Sequence, residues 1–283
     1  MHKRFTVTGF ADEIDKDIIR QFEGIKKLGI QYFDPRNVNG KTVSLLTESE
    51  TETLAEEMKR YDIKVGCIGS RIGKIRIDED FEAHMEELQN TIRIAKRLGT
   101  KFIRVFSFYI PPEEKPEDYR DAVLDRMKKM VALAKKEDVI LLHENEKGIY
   151  GDTAKRCREL MEALFCDNFG AVFDPANFVQ CDEDTKEAYR QLSPYIRYMH
   201  IKDARFSDRV VVPAGMGDGN LQYILKSLFE SGYDGFLCLE PHLGNFEGLK
   251  ELETDELMAD LPDGGEGTYT LAYNKLCEIL ETI

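Results

Sequence analysis

Four short apolar runs each finish on a group that metal ions favour. They are Val139-Ile-Leu-Leu-His-Glu144, Phe169-Gly-Ala-Val-Phe-Asp174, Ile196-Arg-Tyr-Met-His200 and Phe236-Leu-Cys-Leu-Glu240. If the runs are parallel strands of one sheet, Glu144, Asp174, His200 and Glu240 emerge together at its C-terminal edge. Three carboxylates and one imidazole make an oxygen-rich donor set. Such a set suits one hard or borderline divalent ion, Mn²⁺ first, with Mg²⁺, Co²⁺ or Zn²⁺ as alternatives, better than it suits a structural zinc. Each residue alone has a plainer reading. Asp174 precedes Pro175 and reads as a turn residue, His200 as a hydrogen-bonded strand end, and Glu144 has a rival in Glu146. The convergence of four successive runs is what favours a metal.

The elements needed to position these groups are legible as an alternation of strand and helix from end to end. Phe5–Gly9, Ile30–Phe33, Ile63–Ile68 and Phe102–Phe106 read as four earlier strands. Between them, apolar residues recur at helical spacing, as at Ile18, Phe22, Ile25 and Leu28, or Phe81, Met85, Leu88, Ile92 and Ala95. Further helices fit 49–61, Tyr119 to Ala134, 153–165, 185–192, 221–231 and 268–282. Glycine follows the helix end at Gly29, Gly99 and Gly232. Eight strand–helix units favour a closed (β/α)₈ barrel, whose active groups sit at the C-terminal strand edge. Gly215-Met-Gly-Asp-Gly lacks the spacing of a dinucleotide-binding fingerprint. No linker divides the chain, so residues 1–283 read as one domain. The acidic, glycine-rich stretch 243–267 after the eighth strand fits a lid, a homo-oligomer interface or a solvated excursion.

Composition narrows the partners. The chain has 283 residues, with 39 Lys+Arg against 53 Asp+Glu, for a net charge of −14. That balance disfavours binding to a phosphate backbone. The amino terminus has no apolar signal core and no run reaches membrane-spanning length. The six cysteines include no C-x-x-C pair. Free thiols in a cytoplasmic protein, with a small-molecule partner rather than nucleic acid or membrane, are the expectation.

The chain resembles the sugar phosphate isomerase/epimerase family, the xylose-isomerase-like barrels. The resemblance runs over nearly the whole chain. It rests on His-Glu-Asn-Glu at 143–146, Phe-Asp-Pro-Ala-Asn at 173–177, Met-His-Ile-Lys-Asp at 199–203, Pro-Ala-Gly-Met-Gly-Asp-Gly at 213–219 and Leu-Glu-Pro-His at 239–242. It implies that Glu144, Asp174, His200 and Glu240 hold the metal. It also implies that Glu144 and Glu240 double as acid and base on a sugar or polyol, by α-proton abstraction and an enediolate. Many members carry a His three residues after the strand-six Asp. This chain has Asn177, an amide that binds a hydroxyl but accepts no proton at neutral pH. That argues against close kinship with the ketose 3-epimerases.

Other polar groups follow the same strand ends. Arg36, Arg71, Ser107, Lys147, Asn177 and His242 are the expected substrate binders, and Lys202 joins the two glutamates as a catalytic group. Asp34, Ser70 and Asp203 share the edge. His143 should face away from Glu144 as a core histidine, and His2 and His84 read as exposed. Alternatives to an isomerase or epimerase are a dehydratase of a keto-cyclitol or related polyol on the same site, a non-catalytic sugar-binding protein, and a phosphodiesterase resembling endonuclease IV. The last would need His ligands after strands two and three, where Asp34-Pro-Arg36 and Ser70-Arg71 stand instead.

Overall fold

In the computed structural model, which describes residues 5–243 and 265–283, strands and helices alternate as the periodicity predicts. The barrel strands are β1 Thr6–Gly9, β2 Tyr32–Phe33, β3 Lys64–Val65 continued by Cys67–Ile68, β4 Phe102–Val105, β5 Ile140–Glu144, β6 Phe169–Phe173, β7 Ile196–Ile201 and β8 Phe236–Leu239. Seven of them form one curled parallel sheet, in the order β1-β8-β7-β6-β5-β4-β3. The remaining gap is filled by β2. It runs parallel to the first half of β3, and the Asp34 N–H donates to Gly9 O of β1 at 2.9 Å. With β1 paired to β8 from Thr6↔Phe236 to Gly9↔Leu239, the sheet closes on itself as a (β/α)₈ barrel.

Helices α1 Ile18–Lys27, α2 Glu48–Tyr61, α3 Phe81–Leu98, α4 Arg120–Lys136, α5 Ala154–Leu164, α7 Thr185–Leu192, α8 Leu221–Glu230 and α9 Glu266–Leu280 cover the outside, and the short, buried α6 Pro175–Gln180 lies at the C-terminal strand edge. Their starts follow from side-chain caps. Asp17 accepts from Ile19 N and Arg20 N, Asp80 from Glu82 N and Ala83 N, and Thr47 with Glu50 forms a capping box. Gly99 caps α3 in the left-handed region at φ 81°.

The strand period decides which residues reach the centre. A large outer core lies between barrel and helices, and a small inner one gathers Phe10, Cys67, Leu142, Val172, Tyr198 and Cys238. Glu144, Asp174, His200 and Glu240 each stand two residues beyond one of those inner residues, so all four share the inward face. His143 is one residue out of phase. Beneath them a polar layer crosses the barrel: Asp34 accepts from Thr8 Oγ1 at 2.7 Å, Cys67 N at 2.9 Å and Tyr198 OH at 2.7 Å. Gly66 stands between the two parts of β3, where a Cβ would lie 2.6 Å from both Asp34 Oδ1 and Tyr198 OH.

Two readings are corrected. The Asp174-Pro175 step is not a plain turn: Asp174 is the N-cap of α6, with Pro175 in the first turn. His84 is buried, and its Nε2 accepts from Gly73 N at 2.6 Å. His2, and residues 244–264 of the acidic stretch, lie outside the described residues. No helix among the described residues is long and apolar enough to cross a membrane.

Candidate metal centre

At the C-terminal edge, one ligand atom from each of Glu144, Asp174, His200 and Glu240 lies within 4.8 Å of all the others, and all four residues are buried. His200 Nδ1 is the hub, 3.0 Å from Glu144 Oε1, 2.8 Å from Glu240 Oε2 and 3.8 Å from Asp174 Oδ2. One ring nitrogen carries at most one proton and cannot serve three carboxylates at once. Burial opposes a charge on this imidazole, but Glu144 holds its pKa well above the ordinary histidine value. A cation bound among these carboxylates would supply the positive charge in place of any proton on this ring.

The donor set fits a cation on a second count. Lys202 Nζ lies 2.8 Å from Asp174 Oδ2, and His200 Nδ1 is close to Glu240 Oε2. Yet neither oxygen, both buried, has a donor aligned for a hydrogen bond. Buried carboxylate oxygens without such partners are costly unless a metal takes them.

Each ligand is held by the elements around it. The Asp174 backbone N–H donates to Asn145 Oδ1 at 3.0 Å, and Asn145 Nδ2 returns a bond to Asp174 O at 2.9 Å, tying β5 to β6. As the N-cap, Asp174 accepts from Asn177 N through Oδ1, which leaves Oδ2 for the cluster. Glu144 Oε2 accepts from Arg104 Nη1 at 3.0 Å. Burial would raise the Glu240 carboxyl, but Lys202 and His242 hold it well below the usual carboxylate range. Burial likewise opposes the Lys202 ammonium, which Asp174 and Glu240 nonetheless hold above its ordinary value.

An open cleft of about 860 Å³ lies over this edge and reaches Glu240. Arg36, Arg71 and His242 line it, as do Asp12, Glu13, Lys74 and Arg104, which sequence reasoning missed. Arg36 is held at 3.0 Å by Asp12 and 3.3 Å by Glu13, and lies 3.6 Å from Glu240. Arg71 is exposed on the cleft wall and makes no ion pair among the described residues. His242 Nε2 is 3.2 Å from Glu240 Oε1, and its backbone N–H donates to Glu13 Oε2 at 2.7 Å.

Three expected substrate binders are placed differently. Ser107 is fully buried, its Oγ bonded to His143 Nε2 at 2.9 Å and Gly151 N at 2.8 Å. Burial lowers the His143 pKa to about 3, so that ring is a neutral core group as its strand phase predicts. Lys147 is exposed and stands outside the cleft lining among the described residues. Asn177 is buried against the ligands: its Nδ2 donates to Asn145 O at 2.8 Å and approaches Glu144 Oε1 at 3.4 Å. Its amide serves the ligand frame. Glu146, the rival of Glu144, pairs with Lys74 at 2.7 Å.

Asp203 points into its own loop. It accepts from the N–H groups of Gly215, Gly217 and Gly219 at 2.9, 3.0 and 2.8 Å, and so organises the 213–219 segment. A Cβ on Gly217 would collide with Asp203 and Ala204 O, which explains the glycines there.

The family described as xylose isomerase-like TIM barrel matches residues 22–259. The 3-dehydroshikimate dehydratase of Bacillus anthracis is 20% identical over 205 residues, 72% of this chain and 70% of that protein. A D-tagatose 3-epimerase-like protein superposes with a TM-score of 0.74 at 17% identity, over 98% of both chains. The IOLI protein with a bound zinc atom superposes with a TM-score of 0.78 at 18% identity, over 98% of this chain and 99% of that one. At such identities the structural likeness speaks to the fold alone.

Proposed function

This chain belongs to the xylose isomerase-like TIM barrel family, and on that premise we propose that it is a divalent-metal-dependent isomerase or epimerase of a sugar or sugar derivative. The observation that carries this reading is the set of four convergent, buried ligand atoms beside an open cleft. Glu144, Asp174, His200 and Glu240 would hold the ion. When bound, it would supply Lewis-acid polarisation of a carbonyl oxygen, which acidifies the proton on the neighbouring carbon.

The protein groups then divide the remaining work. Glu240 lines the cleft and takes the proton, and Glu144, in the same cluster, is its partner. Lys202, buried between Asp174 and Glu240, would supply a proton to the substrate oxygen. His242 and Arg36 fix the second oxygen of Glu240 from the cleft side. Arg71, exposed on the wall, is the cation available to an anionic part of the substrate.

A dehydratase is the second reading, favoured by the Bacillus anthracis relative. The same proton abstraction followed by loss of a β-hydroxyl gives that outcome. Elemental analysis of the purified protein should find about one equivalent of Mn²⁺, Mg²⁺, Co²⁺ or Zn²⁺ per chain, and His200→Ala should lose it. Solvent deuterium should enter substrates from a panel of ketoses, inososes and hydroxypyruvate. Full metal content in His200→Ala would remove the centre. A metal-loaded protein that exchanges no deuterium into any of them would leave a sugar-binding protein.

A further inference from the structure

The strand β4 carries a charge in its middle, in the run Phe102-Ile-Arg-Val-Phe106. Arg104 stands two residues beyond inward-facing Phe102, so it shares the barrel's inner face, and it is only 4% exposed. Its guanidinium is fixed on every side. Nη1 donates to Glu144 Oε2 at 3.0 Å, Nη2 to Gly69 O at 3.3 Å and Nε to Ser70 O at 3.4 Å. Its central carbon sits 4.7 Å from the Phe10 ring centroid and 5.0 Å from that of Phe106. The other oxygen of Glu144, Oε1, is the one that faces His200 Nδ1 and Asn177 Nδ2. Glu144 is thus divided, with one oxygen committed to Arg104 and one presented to the ligand cluster.

We propose that Arg104 is a positioning residue that restricts Glu144 to one-oxygen coordination, and so keeps a position on the cation open for substrate. This rests on the metal reading above. A hard divalent ion in such surroundings takes about six ligand atoms. Four protein groups giving one atom each leave room for two neighbouring substrate oxygens, the pattern of an α-hydroxy carbonyl compound. A Glu144 that turned to give both oxygens would fill one of those places. Arg104 opposes the turn, because turning would break a buried, charge-assisted hydrogen bond. Its charge also repels the ion it helps to frame. Removing it should therefore tighten metal binding while closing the site to substrate, the reverse of what loss of a merely structural arginine would do.

The test compares the full-length wild type with Arg104→Met and Arg104→Lys, after circular dichroism has established that each is folded. Mn²⁺ is titrated against a competing chelator, and the coordination number of the loaded protein is read by X-ray absorption. Arg104→Met should bind Mn²⁺ about tenfold more tightly, from the lost repulsion, and gain about one oxygen ligand. Arg104→Lys, which keeps the charge, should stay within about threefold of wild type. Unchanged or weaker binding in Arg104→Met, with unchanged coordination, overturns the proposal and leaves the metal centre standing. A wild type that binds no Mn²⁺ overturns both. If Arg104→Met does not fold, a crystal structure of the Mn²⁺-loaded wild type decides: both Glu144 oxygens on the ion, with the Arg104 bond broken, would overturn the assignment.

Discussion

The two halves of the barrel put different chemistry on the same edge. Strands β5 to β8 end in Glu144, Asp174, His200 and Glu240, the buried convergent set. Strands β1 to β4 lead to Asp12 and Glu13, Arg36, Arg71 and, within β4, Arg104, and none of these joins that set. They serve it instead. Arg104 pairs with Glu144, and Arg36 bridges Asp12 and Glu13 beside Glu240. Among the described residues, the cleft lining also comes mainly from this first half. One half gathers the candidate ligands together with Lys202 and His242, and the other adds the arginines Arg36 and Arg104 and, among the described residues, most of the cleft wall. On the proposed reading, a barrel of eight similar units would separate ion binding from substrate binding without a second domain.

The sharpest way to break this division is Glu240→Gln, which should lower deuterium exchange about a thousandfold. Exchange that persists would move the reacting group out of the second half. Next in size, Arg36→Met leaves Asp12 and Glu13 buried and without their bridging cation, and should cost about 3–5 kcal/mol of stability, read by urea unfolding. A loss below about 1 kcal/mol would mean that the first-half charges are solvated rather than structural. The seam between the halves, Ser107 on the β4 side and His143 on β5, gives a pH signature. His143 stays neutral in the fold down to about pH 3, whereas the unfolded chain takes up a proton near the ordinary value of 6.5. Unfolding is therefore favoured as pH falls below that ordinary value. At pH 5 the penalty is about 2 kcal/mol relative to pH 7, and His143→Gln should remove it from the stability–pH curve. Smallest, Arg71→Ala should raise KM about tenfold for an anionic substrate, about 1.4 kcal/mol, with kcat unchanged. An unchanged KM would place the substrate's anionic end away from β3.

The convergence in the second half was legible because its candidate ligands sit at strand ends, where an apolar run stops on a polar residue. Period two then separates Glu144 from His143 without reference to any other strand. The helices were legible from apolar spacing and from the glycine that follows the helix end at Gly29, Gly99 and Gly232. What stayed hidden depends on partners distant in sequence. His84 is buried and accepts from Gly73 N, Ser107 is claimed by His143, and Asn177 is turned into the ligand frame by Asn145. Arg104 did leave a signal, a guanidinium inside an apolar strand, which requires a buried carboxylate near it. Asp174-Pro175 left another, since an Asp followed by Pro also matches a helix start.

The loop wound around Asp203 has a consequence for how the molecule can be altered. A buried carboxylate that gathers three backbone N–H groups fixes the length of the 213–219 segment as well as its shape. Inserting or deleting a residue there would strand at least one of those groups. Changes of substrate range, whether by selection or by design, should therefore concentrate in the loops after β1, β2 and β3. The loop after β7 should tolerate exchange only as an intact cassette that includes its aspartate.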